Sequence, residues 1–299
     1  MQDARVLKAL RFHLNQLAWL ALVTLVLGQF GRLHWGLELL SHFVPIQAVV
    51  MLLGAAVQPR NASSLLFALC GLGALGWALT PLPAEPLATE APARRFLAFN
   101  LKLDNADAGA DARWLAEQRA DLVFVTEATP AWSQQLATLR PFEACARYTD
   151  SPFGLALFSR LPLKSCQVLE LAGAASGYPY LRAELEDGTV LYGLHPPPPL
   201  GTQLALARDE SLRQLAERVA SEGPEVIVLG DFNSTAYSPR LQDFLATAGL
   251  RLTSPRIRPT WWPGMLGLDH ILVRGERPVR AVGALPWRGS DHRAVWLDQ

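Results

Sequence analysis

The sequence predicts an α/β domain carried behind three transmembrane α-helices, and three observations predict it. Long apolar runs without a charge fill most of residues 12–84, short strand-like runs alternate with helical stretches from residue 94 onward, and several of those runs end on a polar side chain. A chain of 299 residues is long enough for one large domain or two ordinary ones. Half of its residues are apolar and its mean hydropathy is +0.15, high for a soluble protein, with the excess gathered near the N-terminus.

No Lys, Arg, Asp or Glu occurs between Phe12 and Gly31, between Leu39 and Pro59, or between Asn61 and Ala84. Crossing a bilayer takes about 20 mainly apolar residues, which each of these stretches supplies. The first is not read as a cleaved signal peptide, because Gln29-Phe30-Gly31-Arg32 offers no small-x-small site and two further apolar runs follow. Residues 1–80 are therefore expected to be a membrane anchor, in contact with the bilayer through residues 12–80. Arg5, Lys8 and Arg11 place the N-terminus on the cytoplasmic side, although Arg32, on the first outer loop, runs against this rule. Three crossings then leave the remainder outside, in the periplasm if the anchor sits in a bacterial inner membrane. Glu38, His34 and His42, near the second helix, are the polar groups through which the helices could do more than tether.

Residues 81–93, PLPAEPLATEAPA, read as an extended linker, and residues 94–299 as one catalytic domain. Its expected strands are FLAFNL (96–101), DLVFVTE (121–127), GLALFS (154–159), LRAEL (181–185), TVLYGLH (189–195), EVIVLGDFN (225–233) and DHILV (269–273). Helices are expected at 110–119, 130–139, 203–221 and 238–248. Five of the 27 basic and four of the 27 acidic residues precede Arg94, so the domain carries 22 against 23 and nets −1. That balance argues against a protein whose main work is gripping duplex nucleic acid through many phosphates. Cys70, Cys145 and Cys166 lack metal-ligand spacing; Cys145 and Cys166 either pair, in an oxidising compartment, or stand as two small unpaired residues.

Asn100, Glu127, His195, Asp231 and Asn233 each stand at or just past the C-terminal end of an apolar run, where α/β proteins place catalytic groups on loops held by a rigid sheet. Asp231 and Asn233, at i and i+2 after Val226-Ile227-Val228-Leu229, point to the same side of an extended strand and can address one atom. An ordinary Asp-x-Asn turn has the same sequence. In Ser290-Asp291-His292 the carboxylate can orient the imidazole or bind a metal while the histidine exchanges protons near neutral pH. A surface Asp-His pair reads the same way in isolation.

Taken in order, Asn100, Glu127, His195, Asp231 with Asn233, Asp269 with His270, and Ser290-Asp291-His292 resemble the endonuclease/exonuclease/phosphatase superfamily. The matching pieces are FLAFNL, DLVFVTE, GLALFSRLPL, YGLHPPPP, VIVLGDFN, PTWWPG with LDHILV, and SDHRAV, spread over residues 94–299. The resemblance implies two stacked β-sheets flanked by helices, a four-layer sandwich with the site at one edge, and metal-assisted attack of water on a phosphate ester. It implies Glu127 as the main carboxylate ligand of Mg²⁺ or Mn²⁺, helped by Asn100 and Asp291, since a hard divalent ion suits carboxylate and amide oxygens. His292, oriented by Asp291, is implied as general base or as the group holding the scissile phosphate, and Asp231 as the group that positions the attacking water. Asn233 is implied as an amide donor to the phosphate, His195 as a partner on the leaving side, and Asp269 as support for His195 or for a second metal. The expected substrate is a phosphate ester: nucleic acid, a phospholipid head group or a small phosphodiester.

Two features depart from the broader pattern. Pro196-Pro197-Pro198-Pro199 make the loop after His195 rigid, and a domain running only from Arg94 to Gln299 leaves little room for insertions that grip duplex DNA. Trp261 and Trp262, before Asp269, are candidates for a substrate wall that stacks a base or covers an acyl chain. The alternative reading, a silent membrane-anchored binding or scaffold protein that keeps the fold, requires loss of at least one site residue, and none is lost.

Overall fold

A computed structural model describes residues 2–80 and 93–299, so the linker expected at 81–93 lies outside the described residues but for its last position. The chain divides into two compact units, one of Met1–Pro81 with Tyr237–Arg240 and Pro255–Ile257, the other of the remainder.

In the first unit, α1 (Gln2–Gly28), α2 (Trp35–Ser41), α3 (Val44–Val57) and α4 (Ala62–Leu79) follow one another. Asn61 caps α4 reciprocally: its Oδ1 accepts the Ser64 backbone N–H at 2.9 Å, and Ser64 Oγ accepts the Asn61 N–H at 3.0 Å. Among the described residues, α1 and α4 are long and apolar enough to cross a membrane. The expected second crossing is different: it is a pair, α2 and α3, meeting at 62°. Pro45, in the first turn of α3, has no N–H to give to a preceding turn and can only begin a helix. At 1.5 Å per residue, the 14 residues of α3 rise about 21 Å, short of a hydrocarbon layer about 30 Å thick. Among the described residues the helices long and apolar enough to cross therefore number two, or three if the bent pair is taken as one. Small residues let these helices approach; a Cβ on Gly54 would lie 2.5 Å from that of Ala18. Glu38 and His42 are buried, and His34 Nδ1 caps α2 by accepting the Gly36 N–H at 3.0 Å.

The second unit contains β1 (Arg95–Asn100), α5 (Ala108–Glu117), β2 (Leu122–Thr126), α6 (Pro130–Gln135), β3 (Glu143–Arg147), β4 (Leu155–Ser159), β5 (Leu163–Leu169), β6 (Tyr180–Leu185), β7 (Val190–Leu194), α7 (Thr202–Ala220), β8 (Val226–Asp231), α8 (Pro239–Ala248) from Leu241 onward, β9 (Arg251–Leu252), β10 (Asp269–Arg274), β11 (Ala281–Ala284) and β12 (Val295–Asp298). The described strands form two six-stranded sheets, ordered β11-β12-β1-β2-β4-β3 and β5-β6-β7-β8-β10-β9. Period-two alternation explains the layering. Phe96, Ala98, Leu122 and Phe124 from one sheet share a core with Leu191, Ile227, Leu229 and Ile271 from the other. The intervening residues turn outward: Leu97, Phe99 and Val123 pack under α5, while Tyr192, Val226 and Val228 pack under α7 and α8. Both faces of the central strands are thus covered, which is why they read as unbroken apolar runs. The result is the four-layer sandwich.

The expected strands and helices are present with ends shifted by a few residues, and the 130–139 helix is completed after Gln135 by a 3-10 turn, Leu136–Thr138. Strands β3, β5, β9, β11 and β12 were not expected, being short or half-buried at sheet margins. Cys145 on β3 and Cys166 on β5 are disulfide-bonded, with Cα atoms 5.7 Å apart, so the bond joins an edge strand of one sheet to an edge strand of the other.

Candidate active site

The site is assembled from strand ends. β1 and β2 run parallel, as do β7 and β8, and each pair delivers its polar C-terminal residues to one end of its sheet. Asn100 closes β1, Glu127 follows β2, His195 follows β7 and Asp231 closes β8. Asp269 opens β10, which runs antiparallel to β8 and sets Asp269 opposite Asp231. Glu127 and Asn233 hold φ of +58° and +48°, in the left-handed region that strains residues other than glycine.

Asn100 links the two sheets. Its Nδ2 donates to Glu127 Oε1 at 2.9 Å and to Asp231 Oδ2 at 3.1 Å, while its Oδ1 accepts the Lys102 N–H at 2.9 Å. Glu127 Oε2 accepts the Leu103 N–H at 2.7 Å. Asp231 Oδ1 accepts the Asn233 N–H at 2.8 Å, and its Oδ2 lies 3.6 Å from both His195 Nε2 and His292 Nε2. His195 Nδ1 bonds the Pro152 carbonyl at 3.0 Å; a carbonyl only accepts, so Nδ1 carries the proton and Nε2 is turned toward Asp231. Asn233 Nδ2 donates to the Pro196 carbonyl at 2.9 Å, tying the proline loop to this side and leaving its second N–H for another acceptor.

His292 is held by Asp269 at 2.9 Å through Nδ1, not by its neighbour Asp291 as expected. Asp291, in the bend at 289–291, sends its carboxylate elsewhere, accepting from Trp261 Nε1 at 3.2 Å. Asp269 accordingly supports His292 and not His195. Burial works against a charge on His292, but Asp269 and then Asp231 outweigh it and raise its pKa to about 10. Burial, with Asp231 nearby, raises the pKa of the Asp269 carboxyl, and pairing with His292 offsets part of that rise. Burial lowers the pKa of His270.

Sequence reasoning missed two buried supports. Thr260 is fully buried, and its Oγ1 accepts the N–H groups of Leu268 and Asp269 at 3.0 and 3.1 Å, fixing the start of β10; PTWWPG marked the segment but not this hydroxyl. Arg208 is also fully buried and donates to Ser234 Oγ at 2.8 Å. Its signal was legible: Arg208, Leu212, Leu215 and Val219 recur at helical spacing on the buried stripe of α7.

Asp231, Asp269 and His292 each place one potential ligand atom within 4.8 Å of the others. An imidazole bonded through one nitrogen to a carboxylate and facing a second carboxylate with the other is arranged to carry a proton, so this trio is better suited to acid-base work than to caging an ion. The charge balance nonetheless suits a cation. Glu127 and Asp231 meet across one amide group with Asp269 close behind, and Glu127 is open enough to solvent for an ion to keep its waters.

The pattern of the Endonuclease/Exonuclease/phosphatase family matches residues 97–292. The chain belongs to that family. No curated protein sequence matches it significantly. Among solved structures, D. rerio TDP2 humanized by 14 mutations is 17% identical, with a TM-score of 0.57, over 70% of this chain and 99% of the other. Sphingomyelinase C from Streptomyces griseocarneus is 17% identical, with a TM-score of 0.54, over 70% and 99%. The 3′ phosphatase NExo from Neisseria, bound to product DNA hairpin, is 16% identical, with a TM-score of 0.53, over 68% and 98%. At these identities the structures establish the fold alone. As a member of the endonuclease/exonuclease/phosphatase family the protein is an enzyme, a metal-dependent hydrolase acting on phosphate ester bonds.

Proposed function

We propose that the protein is a Mg²⁺- or Mn²⁺-dependent phosphodiesterase that works on a phospholipid head group or small phosphodiester at the outer face of a membrane. The observation that carries the chemistry is the convergence on Asp231 Oδ2, which meets Asn100 at 3.1 Å and faces two histidines at 3.6 Å. Glu127 and Asn100 would hold the ion, with Asp291 the remaining carboxylate near His292 in sequence. Bound there, a hard divalent cation neutralises charge that builds on the phosphoryl oxygens.

Asp231 holds and polarises the attacking water from its place 3.6 Å from both imidazoles. His292, fixed by Asp269, exchanges a proton at Nε2, and His195 does the same on the opposite side of Asp231. Asn233 offers its second amide N–H to the phosphate oxygen as charge develops. Trp262, 61% exposed, stands edge-on to Trp287 at 5.9 Å and gives the substrate's organic portion an apolar wall. The near-neutral domain and apolar helices favour a lipid or small substrate over duplex nucleic acid.

The full chain in detergent, given Mg²⁺ or Mn²⁺, should hydrolyse a phospholipid or bis-aryl phosphate faster than DNA. Glu127→Ala and His292→Ala should abolish that activity. Faster turnover of DNA would replace the substrate class, and an inert wild type would refute the hydrolase reading.

The side of the membrane depends on parity. Two crossings return the domain to the side of the N-terminus, and three, with α2 and α3 as one bent span, put it opposite. A disulfide persists in oxidising compartments, which favours three crossings and a periplasmic domain. A periplasm-dependent phosphatase reporter fused after Gln299 should be active; an inactive fusion beside an active cytoplasmic reporter would reverse this assignment.

A further inference from the structure

Asn233 is presented to the site from between two residues that are fully buried, Phe232 and Ser234. Phe232 is set in the outer core, edge-on to Phe244 and to the His270 ring, and its N–H bonds the Leu268 carbonyl at 2.9 Å. Ser234 is gripped twice. Its hydroxyl accepts from Arg208 Nη1 at 2.8 Å, and its carbonyl accepts from His270 Nε2 at 2.8 Å. Between these anchors Asn233 keeps a φ of +48°, a conformation that persists only where the surroundings impose it.

A fully buried guanidinium is costly, and here Asp209 pairs with its Nε at 2.7 Å. What this arrangement secures is direction: a planar fork fixes an acceptor more rigidly than an ammonium does. We infer that Arg208 and His270 are positioning residues which, through Ser234, hold the Asn233 amide in register with the phosphate. This rests on the hydrolase reading for its catalytic consequence, though not for its structural one. The buried pair acts through the loop and does not touch substrate.

The test compares full-length wild type with Arg208→Lys, Ser234→Ala and their double variant in detergent. It measures deuterium uptake, thermal midpoint, and kcat and KM on bis(4-nitrophenyl) phosphate with Mg²⁺. Each single variant should raise the exchange rate of backbone amides 231–236 about tenfold and lower kcat about tenfold or more at nearly constant KM. The double variant should be no worse than the poorer single one, because both break the same link. Wild-type exchange and kcat in both single variants would overturn the inference, as would losses that multiply in the double variant or that merely track the thermal midpoint. If the wild type turns over nothing while exchange changes locally as expected, the loop assignment stands and the hydrolase reading fails.

Discussion

Breaking the Cys145–Cys166 bond is the perturbation whose size follows most directly from the fold. The cysteines are 21 residues apart and join β3 to β5, so the bond restricts the unfolded chain and also ties together the margins of the two sheets. Closing a loop of that length removes about 11 cal/mol/K of chain entropy, or about 3 kcal/mol at 25 °C. For a domain of this size each kcal/mol moves the midpoint about 2–4 °C, so reduction should lower it by about 6–12 °C. The assay is thermal unfolding of the full chain in detergent, followed by near-ultraviolet circular dichroism, with and without a phosphine reductant, beside a Cys145→Ser/Cys166→Ser variant. That variant should melt where the reduced wild type does and should not respond to reductant. A midpoint that stays within about 1 °C on reduction would refute the clamp and remove one support for an oxidising compartment.

Asp269→Asn should leave the fold intact and cut kcat by about 10²- to 10⁴-fold, because it removes the carboxylate that holds His292 at 2.9 Å; steady-state kinetics beside a melting curve would check it. Gly193→Ala places a Cβ 2.3 Å from the Phe124 ring and should cost about 1–3 kcal/mol in denaturant unfolding. The Glu222 carboxyl is held below its ordinary pKa by Arg182, which bonds it at 2.7 and 2.9 Å, and by the Tyr192 hydroxyl. A folded-state pKa below the unfolded value of 4.5 gives stability that is present above that pH and lost as pH falls through the folded value. Glu222→Gln should therefore flatten the acid side of the stability profile while lowering stability at neutral pH, as read by midpoints between pH 3 and 7.

The candidate site residues were legible because a polar side chain is unexpected where they stand: Asn100, His195 and Asp231 end or follow buried apolar runs. Which carboxylate serves which histidine was not legible. Asp291 adjoins His292 in sequence, but from the bend at 289–291 its carboxylate bonds Trp261, and the partner of His292, Asp269, arrives from a separate strand. Edge strands β3 and β5 escaped because their residues are mostly half-buried without a clean alternation and include Glu143, Arg147 and Lys164. The break between α2 and α3 escaped for another reason. Hydropathy sums apolar residues without regard to backbone donors, and Pro45 changes the donors while leaving the sum high.

The two sheets contribute unequal parts to one candidate site, so its geometry depends on their alignment. Asn100 and Glu127 come from one sheet, whereas His195, Asp231 and Asp269 come from the other, with the Asn100 amide bonded to a carboxylate of each. Directly beneath, the Phe124 ring of the first sheet fills space that a side chain would take on either Gly193 or Gly230 of the second. Gly230 also holds a φ of +140° with its missing Cβ directed at the Leu194 carbonyl. A side chain on Gly193 must therefore part the sheets or displace Phe124, and any parting stretches the bond that Asn100 makes to Asp231 across them, whereas one on Gly230 meets the Leu194 carbonyl of its own sheet first. A residue with no polar chemistry of its own thereby sets the separation between Asn100 and Glu127 on one sheet and His195, Asp231 and Asp269 on the other. The same residue, Phe124, sits in the apolar core that the sandwich is built to bury, so core packing and site geometry answer to one constraint.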